Sequence, residues 1–476
     1  MNLSYDVRIY KIEVRTYKAA RGGKARTSYR VRWAVAGEKF GDTFATLALA
    51  ESFRSKLVTN QREGVAFDTA TGLPEPMARE QRSITWLQLA VAYAEMKWPR
   101  VSAHHRRGIA ETLTGATMAL LVDSRRGAPA DGVLRQALNS YVFVKPRRTG
   151  GPPPAELADA VAWLDKGTVK LSELTEAARV RKVLDSLALK LDGTAAAAST
   201  VARKRAVFSG ALLYGVEEGH LDTHPMERVK WIAPEKDEAV DRRVVVNPHQ
   251  GGRLLDAVRK RTPELTAFFG SMYLAALRPE EALHLHKHEY ERPREPGGWG
   301  WLHLGGAVVE VGTAWTDDGS ANEYRSLKHR SRKTVRSVPA EPDLCKLFDW
   351  HIETYPPGPD GRLFVTRRGP GGMYLPATGR PVTANARLNA WHGARQAALT
   401  PDELAAGLAP VPYSLRHACV SSWLNAGVSP TLVAEWAGHS VRVLLNIYAK
   451  CLYGEEEAAF RRILAFRKEH EANKPG

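Results

Sequence analysis

The chain has few cysteines and no long apolar run, and both shortages exclude classes of protein. Only Cys345, Cys419 and Cys451 occur among 476 residues, without the spacing of a metal site. Such an odd, sparse set is typical of a reducing compartment rather than of a disulfide-stapled domain. No apolar stretch approaches the roughly 20 residues that span a bilayer, and the start MNLSYDVRIYKIEVR lacks the apolar core of a secretory signal. We therefore expect a cytoplasmic protein that has no membrane segment.

Acidic residues are also in deficit. The chain carries 68 Lys and Arg against 52 Asp and Glu, a formal net charge of +16. An excess of this size predicts an acidic polymer as partner, and charge alone leaves open whether that is nucleic acid or an anionic membrane surface. The length of 476 residues predicts two to four domains, each with its own core.

Residues 1–62 are predicted to form a small β-rich domain. VRIYKIEVR and SYRVRWAV alternate apolar and polar residues, as strands with one solvated face do. Two acidic residues, Asp6 and Glu13, oppose nine basic ones in this stretch, and the pattern fits either a solvated sheet face or a sheet that docks on DNA. The basic residues are Arg8, Lys11, Arg15, Lys18, Arg21, Lys24, Arg26, Arg30 and Arg32. Residues 62–80 are polar and rich in Gly and Pro, which predicts a linker.

Residues 80–228 are predicted to be helical. Ser83 is a candidate cap for the helix of ITWLQLAVAYAEMKW, which Pro99 ends. A later helix carries three consecutive basic residues that are candidates for DNA contact, although a bundle with a solvated basic face explains them equally well: Arg203, Lys204 and Arg205. Residues 231–248 are charged and end in proline, which predicts a second linker.

Residues 245–476 mix helices with short strands. KTVRSVP, AVVEVGT and EYERPREPGGWGWLHLGG read as strands joined by Gly-rich turns, and helices follow to about residue 468. His284, His286 and His288 alternate in HLHKHE, a period of two that would place them on one strand face. No cysteine or acidic ligand pair with metal-site spacing accompanies them, so we expect no metal site.

This last region also holds basic boxes, two histidines and a tyrosine that could act together on a phosphate. They are Arg278 in ALRPEEALHL, Lys328 in SLKHRSRKTVRSVP, Arg416 and His417 in YSLRHACVSSWL, His439 in EWAGHS and Tyr448 in VRVLLNIYAKCL. Arginines grip phosphoryl oxygens with a planar fork, and a tyrosine hydroxyl can serve as nucleophile. Taken singly, each box has a plainer interpretation, because Arg278 could lie on a helix surface and Tyr448 could be a core residue.

The C-terminal boxes have clear local signals. Ser414 is predicted to cap a helix with Gly427 after its end, which places Arg416 and His417 in the positive first turn. Ser429 and Pro430 begin the next helix, which ends at Gly438, and Ser440 opens the helix that carries Tyr448.

The order and spacing of these boxes resemble the tyrosine recombinases, the phage-integrase family. The family's G-x-R-x-x-E box is matched at Arg278, with Ala276 at the glycine's place and Glu281 as the acid. Lys328 precedes Pro339 by eleven residues, as in the family's lysine hairpin, and His439 precedes Tyr448 by nine. The chain departs from the H-x-x-R box, where Tyr413 stands in place of the histidine. GHLDTHP, at residues 219–225, is similar to the close of the family's helical core-binding domain.

The resemblance implies a multidomain α+β protein. Its parts would be a small β-rich arm-type domain over 1–62, a helical, SAM-like core-binding domain over 80–228, and a mainly helical catalytic domain with a small antiparallel sheet over 245–476. Tyr448 would be the nucleophile that forms a 3′-phosphotyrosine, and Lys328 the general acid. The other members of the implied site are Arg278, Tyr413, Arg416 and His439, with support from Glu281 and His417 and with DNA contacts from Arg330, Arg332 and Lys333.

The resemblance also implies partners. These are double-stranded DNA at attachment-type sites, a homo-tetramer in the synaptic complex, and accessory proteins such as an excisionase or a host DNA-bending protein. No cofactor or metal is implied, because the phosphotyrosine keeps the bond energy, and the protein would act on the nucleoid. Two alternatives stay open: a type IB topoisomerase, which uses the same nucleophile, and a catalytically impaired DNA-binding protein, for which only Tyr413 argues. A tyrosine hydroxyl can still donate a hydrogen bond where the family has histidine.

Overall fold

The computed structural model describes residues 2–17, 26–235, 244–327, 335–369, 373–376, 378–448, 460–461, 463–465 and 467. It divides into two compact units, Met1–Val101 with Gly108–Pro234 and Ser102–Arg107 with Glu235–Gly476. The break between residues 234 and 235 falls inside the predicted linker at 231–248. The finer division into three domains stays a prediction.

An antiparallel sheet forms the N-terminal part of the first unit, as the strand periodicity predicts. Its strands and those of the neighbouring short pair are β1 Leu3–Ser4, β2 Val7–Ile9, β3 Glu13–Tyr17, β4 Arg26–Val35, β5 Glu38–Phe44 and β6 Phe67–Asp68. The long strand β4 pairs with β2, β3 and β5. One prediction is wrong in detail, because VRIYKIEVR forms two strands, β2 and β3, that pair with opposite ends of β4.

One face of this sheet is apolar and the other is basic. Val31, Trp33 and Val35 of β4 are buried together with Leu57 of helix α1, Leu47–Arg62. The register of the strands places the following residues on the opposite face: Arg8, Glu13, Arg15, Arg30, Arg32 and Lys39. Among the side chains that the structure describes, this face carries five basic residues and one acidic residue, and the predicted Lys18, Arg21 and Lys24 lie outside the described residues.

The predicted linker at 62–80 is largely structured. Phe67 is fully buried in the core of the sheet, β6 pairs with β1, and residues 75–82 form helix α2, Glu75–Arg82. The Trp33 indole N–H donates to the carbonyl of Gly72, whose φ of 72° suits glycine. The Gly and Pro residues therefore make packed turns, because one buried aromatic ring and one buried indole hold the segment in place.

The residues after α2 are helical, as predicted. The helices are α3 Trp86–Lys97, α4 Ala103–Ala119, α5 Asp131–Ala137, α6 Lys145–Gly150, α7 Ala155–Leu164, α8 Ala177–Leu187 and α9 Ala198–Glu217. The predicted cap of α3 is wrong, because Ser83 ends α2 and Thr85 caps α3. Thr85 exchanges hydrogen bonds with Gln88, a capping box that Ser83 cannot form at its position.

The second unit surrounds the buried helix α11 with helices and small sheets. Its helices are α10 Pro248–Arg261, α11 Thr266–Leu274, α12 Pro279–His284, α13 Pro342–Thr354, α14 Ala384–Ala398, α15 Pro401–Ala405, α16 Ser414–Asn425, α17 Pro430–Ala437 and α18 Val441–Tyr448. Its strands are β7 Tyr290–Glu291, β8 Gly300–Leu304, β9 Ala307–Glu310, β10 Asn322–Arg325 and β11 Arg336–Ala340. They form the antiparallel sheets β11–β8–β7 and β9–β10. Strand β10 was not predicted, because NEYR is too short and polar to carry a strand signal.

The histidine-rich segment is not a strand, which corrects the prediction. His284 ends helix α12, and Lys287–Glu289 forms a 3₁₀ turn that begins after His286. Glu289 accepts from the backbone N–H of His286, and this cap favours a turn over an extended chain. Across the described ranges, no helix is both long and apolar enough to cross a bilayer.

Candidate active site

Helix α16 places one arginine at the centre of the second unit. Arg416 lies in the first turn of α16 and is fully buried, on a helix of which nine of the twelve residues are buried. The residue before this helix is Tyr413, so the predicted cap at Ser414 is wrong by one position, and Tyr413 makes no side-chain capping hydrogen bond. Gly427 follows the helix with a φ of 86°, as predicted.

The turn after α17 brings three arginines together. Ser429 caps α17 as predicted, and Gly438 ends it in the left-handed conformation, with a φ of 66°. Arg278 Nη2 donates to the Gly438 carbonyl at 2.8 Å. Arg416 donates to the Ala437 carbonyl. A Cβ at Gly438 would collide with the guanidinium groups of Arg278 and Arg336, so this close approach requires glycine.

A buried carboxylate holds two of these arginines. Glu281 accepts from Arg278 Nη1 at 2.7 Å and from the Arg278 backbone N–H at 2.9 Å. It also accepts from both Nη atoms of Arg336, at 2.8 and 2.7 Å. Although burial alone would raise it, the pKa of Glu281 falls to about 2, because Arg336 and then Arg278 favour the ionised form. The carboxylate thus fixes the direction of both guanidinium planes.

Arg336 was missed as a site residue in the sequence. It lies in KTVRSVP, near the predicted DNA contacts Arg330, Arg332 and Lys333, yet it is 2% exposed. The signal that could have found it is the strand period, because Arg336 shares its face of β11 with buried Val338 and Ala340, while Ser337 points out. An inward-facing arginine in a strand needs a buried acid, and Glu281 is that acid.

Ala276 stands where the family that the chain resembles has glycine. The backbone conformation of Ala276 explains why glycine is favoured at this position. Its φ is 51°, a left-handed conformation that costs a non-glycine residue about 1–2 kcal/mol. This conformation turns the Ala276 carbonyl to accept from Arg416 Nη1. Arg416 is therefore gripped at both ends of its guanidinium, by Ala276 and by the turn after α17.

His439 presents a defined tautomer to the site. Its Nε2 lies 2.9 Å from Arg416 Nη2, which can only donate, so Nε2 accepts and the neutral ring carries its proton on Nδ1. Burial and the charges of Arg416, Arg278 and Arg336 lower the pKa of His439 to about 3, which keeps the ring neutral near pH 7. The Nδ1 atom is buried without a hydrogen-bond partner among the described residues.

Tyr448 lies near His439 and meets His417. The Tyr448 hydroxyl is 2.8 Å from His417 Nδ1. The Tyr448 ring is stacked with the His439 ring, and the two ring centroids are 6.4 Å apart. The ring of Tyr413 meets the ring of His417 edge-on at 5.0 Å. Burial and then the charge of Arg416 lower the pKa of His417 to about 4. Tyr448 is 1% exposed and packs near Leu444, so it is both a core tyrosine and a neighbour of the cluster.

The cluster has the electrostatics of an anion site. Three buried guanidinium groups face one carboxylate, which leaves a net excess of two positive charges. The Nε atoms of Arg336 and Arg416 are buried without a hydrogen-bond partner within the described ranges. Buried donors of this kind are costly unless an acceptor meets them, and a phosphate oxygen is such an acceptor.

Several predicted site residues are not placed in this cluster. Lys328, Arg330, Arg332 and Lys333 lie outside the described residues. Arg203 and Arg205 are exposed on α9, in the first unit. Lys204 turns inward instead, and its ammonium donates to the carbonyls of Leu187 and Leu189 at 3.2 and 3.4 Å, at the end of α8. Such a contact stabilises a helix C-terminus.

His284 and His286 converge on an acid that the sequence reasoning did not consider. Their Nδ1 atoms lie 3.6 and 3.4 Å from Glu289 Oε2, and the three residues could hold a metal ion. The carboxylate is already engaged, however, by the backbone N–H groups of His286 at 2.8 Å and Gly305 at 3.0 Å. These bonds account for the cluster as a cap of the 3₁₀ turn.

We predict that the second unit loses stability as pH falls from 6.5 to about 4. His351, His417 and His439 have folded-state pKa values of about 4, 4 and 3, below the ordinary value of 6.5. In this window the unfolded chain binds more protons, so the free energy of unfolding falls by an amount of the order of 3 kcal/mol for each of these histidines. Glu281, with a pKa of about 2, stays ionised throughout.

Urea unfolding at several pH values measures this dependence. His392→Gln, at an exposed position on α14, should follow the wild-type curve, whereas His351→Leu should flatten it. An unfolding midpoint that is constant from pH 6.5 to 4.5 would contradict the prediction.

No family model and no curated protein matches the chain. Similar proteins were found among solved structures. The Tn1549 transposon integrase in complex with transposon right end DNA is 15% identical with a TM-score of 0.45, over 67% of this chain and 97% of that one. The XerH site-specific recombinase bound to palindromic difH substrate is 14% identical with a TM-score of 0.43, over 75% and 96%. A lambda integrase dimer bound to a COC′ core site is 12% identical with a TM-score of 0.44, over 89% and 91%.

These neighbours are tyrosine recombinases. Likenesses with TM-scores below 0.5 do not establish a common fold. The function of the chain therefore rests on the side chains of its own site.

Proposed function

We propose that this protein is a tyrosine-type site-specific recombinase that cuts and rejoins DNA through a 3′-phosphotyrosine. The observation that carries the proposal is the cluster around residues 437–439. Arg278 and Gly438 come from sequence boxes far apart, are separated by 160 residues in the chain and are joined by a hydrogen bond, and Tyr448 lies beside the same cluster. A basic anion site with a tyrosine hydroxyl next to it is suited to phosphoryl transfer without a cofactor.

In the proposed reaction the Tyr448 oxygen attacks the scissile phosphorus and the 5′ oxygen leaves. Arg278 and Arg416 bear the negative charge that develops on the non-bridging oxygens, and the Nδ1–H of His439 donates to one of them. Lys328 is proposed to protonate the leaving 5′ oxygen, on the strength of its place in the sequence box. The phosphodiester energy is kept in the tyrosine ester, so a second 5′ hydroxyl can reverse the step and join a new strand.

The burial of Tyr448 sets a condition on this chemistry. At 1% exposure, its hydroxyl reaches a DNA phosphate only after neighbouring side chains move. Tyr448 lies in the last described turn of helix α18, and the proposed reaction requires side chains around this turn to move. DNA binding and exposure of the nucleophile are therefore coupled in this proposal.

The experiment that tests the function uses a nicked suicide duplex, in which the short strand beyond the cut is lost after cleavage. The protein should form a covalent adduct that survives denaturation. Two duplexes should then yield exchanged strands. Relaxation of supercoils without strand exchange would indicate a type IB topoisomerase, and binding without an adduct would indicate a catalytically impaired DNA-binding protein.

We further propose that residues 1–62 form an arm-type DNA-binding domain. Such a domain favours an integrase of a phage or mobile element. We propose that this integrase acts as a tetramer on attachment-type sites, together with accessory proteins. Helices over 80–228 would bind the core site, with Arg203 and Arg205 exposed toward solvent, and residues 245–476 would be catalytic. Support for the arm role comes from the sheet face of five basic residues and one acid.

The basic sheet face should contribute to the salt dependence of DNA binding. A triple variant in which Arg8, Arg32 and Lys39 are each replaced by glutamine removes exposed charges from this face. The buried residues on the opposite face of the sheet stay unchanged. The slope of log K against log salt, measured on long duplex DNA, should fall by up to about three, or roughly one for each lost phosphate contact.

A matched triple variant at Lys56, Arg62 and Lys166 removes the same charge from exposed positions elsewhere in the first unit. Its slope should stay near the wild-type value. Equal slopes for the two triple variants would count against a DNA-binding role for the sheet face.

A further inference from the structure

We propose that His417 takes the proton from Tyr448 when the tyrosine attacks, and that Tyr413 positions His417 for this task. The inference rests on the proposed function, since it names the base for the same nucleophile. The resembling family has a histidine where this chain has Tyr413. The structure places a histidine one helical turn later, on the same side of α16, and that histidine meets the tyrosine hydroxyl.

The hydrogen bond between the two side chains carries the argument. His417 Nδ1 lies 2.8 Å from the Tyr448 oxygen, within the range for an O–H···N bond, and their ring centroids are 5.6 Å apart. A general base must be within hydrogen-bond reach of the proton it accepts. His417 meets that requirement in the free protein.

The other histidine of the cluster is less suited to this role. His439 uses Nε2 to accept from Arg416 at 2.9 Å, and its ring centroid is 6.4 Å from that of Tyr448. Its remaining nitrogen, Nδ1, bears a proton in the neutral form and can only donate. The two histidines therefore have different roles. His439 donates a hydrogen bond to the phosphoryl group, and His417 accepts the proton of the nucleophile.

Tyr413 is a positioning residue. Four residues before His417, it lies on the same helical face, and its ring meets the imidazole edge-on at 5.0 Å. The guanidinium carbon of Arg416 lies 5.9 Å from the Tyr413 ring centre. A phenol is a poor proton acceptor near neutral pH. Its aromatic face can instead hold the imidazole against Tyr448 and shield it from water.

The charges around His417 make proton transfer depend on bound phosphate. The proton passes from the Tyr448 oxygen to Nδ1, so a phenolate oxygen and an imidazolium form together while the oxygen–phosphorus bond develops. Arg416 is adjacent in the chain and opposes a second positive charge, in line with the lowered pKa of His417. A scissile phosphate between the arginines offsets that repulsion. The tyrosine is thereby deprotonated only when DNA is in the site.

Aromatic and charged groups face His417 from two described helices. They are Tyr413 and Arg416 on its own helix and Tyr448 on α18, with His439 beyond Tyr448.

The decisive test compares His417→Gln in two forms of the protein on the suicide duplex. With natural Tyr448, the substitution should slow single-turnover cleavage by about 10²–10⁴-fold, the range for loss of a general base. With 3,5-difluorotyrosine incorporated at position 448, the hydroxyl ionises at a much lower pH and needs no base. The same substitution should then slow cleavage by less than about tenfold.

A structural role for His417 predicts something different, namely the same loss with either nucleophile, and that result would overturn the proposal. His392→Gln on α14 serves as a histidine control and should cleave at the wild-type rate.

Tyr413→Phe keeps the ring against His417, and its cleavage rate should stay within about threefold of the wild-type rate. If Tyr413→Phe is instead as slow as His417→Gln and is not rescued by the fluorinated nucleophile, the Tyr413 hydroxyl acts directly and the assignment to His417 is wrong.

The outcome is separable from failure of the proposed function. A wild-type protein that forms no adduct contradicts the recombinase proposal itself. A wild-type protein that forms one, with a His417→Gln variant of equal rate, contradicts only the assignment of the base. Retained DNA binding and an unchanged urea midpoint exclude misfolding as the cause of a slow variant.

Discussion

Tyr448→Phe should abolish covalent capture of a suicide duplex while leaving DNA affinity within about twofold of wild type. The substitution removes one oxygen and keeps the ring that fills the core beside Leu444. Without that oxygen no ester to phosphorus can form, so the loss should exceed a thousandfold and be limited only by detection. The hydrogen bond to His417 is also lost, which should cost about 1 kcal/mol of stability.

A second tyrosine supplies a matched control. Tyr273, near the end of α11, donates its hydroxyl to the Pro248 carbonyl at 3.3 Å. Tyr273→Phe should give the wild-type adduct yield. An adduct that persists in Tyr448→Phe would show that another residue attacks, and Tyr453, outside the described residues, is the nearest tyrosine in the sequence.

Glu281→Gln should have the largest effect on stability. Glu281 is 1% exposed and is shared by Arg278 and Arg336, so its neutralisation leaves two buried guanidinium groups without their acid. Breaking a buried ion pair in this way costs about 3–5 kcal/mol. Because both arginines line the anion site, cleavage should slow as well, by tenfold or more at a temperature where the variant is still folded.

The neighbouring acid provides the control for charge. Glu280→Gln removes the same charge from the partly exposed side of α12 and should change the free energy of unfolding by less than about 0.5 kcal/mol. Adding Arg336→Met to Glu281→Gln removes one of the stranded charges and should restore part of the stability, as measured by urea unfolding. A Glu281→Gln protein within 1 kcal/mol of wild type would show that the arginines are hydrated rather than paired.

The sequence predicts local structure well where a single element carries its own signal. Alternation in SYRVRWAV predicts the central strand of the N-terminal sheet, and Ser429 with Pro430 predicts the start of α17. Gly438 predicts the end of that helix, because the left-handed conformation favours glycine. Spacing between boxes was enough to nominate Arg278, Arg416, His439 and Tyr448, and the structure brings these residues together.

Tertiary packing decided the partnerships within the site. Arg336 and Glu281 are 55 residues apart in the chain, and only the approach of β11 to α12 makes them an ion pair. His417 reaches Tyr448 because α18 returns to the face of α16 that also carries Tyr413.

Packing also overrode composition at residues 62–80, where burial of Phe67 turned a Gly- and Pro-rich segment into ordered structure. Propensity and periodicity act over a few residues, and they sufficed to specify which elements form and which residue types they present. Hydrogen bonds and burial act across the fold, and they alone determined which acid holds which arginine and which histidine meets the tyrosine.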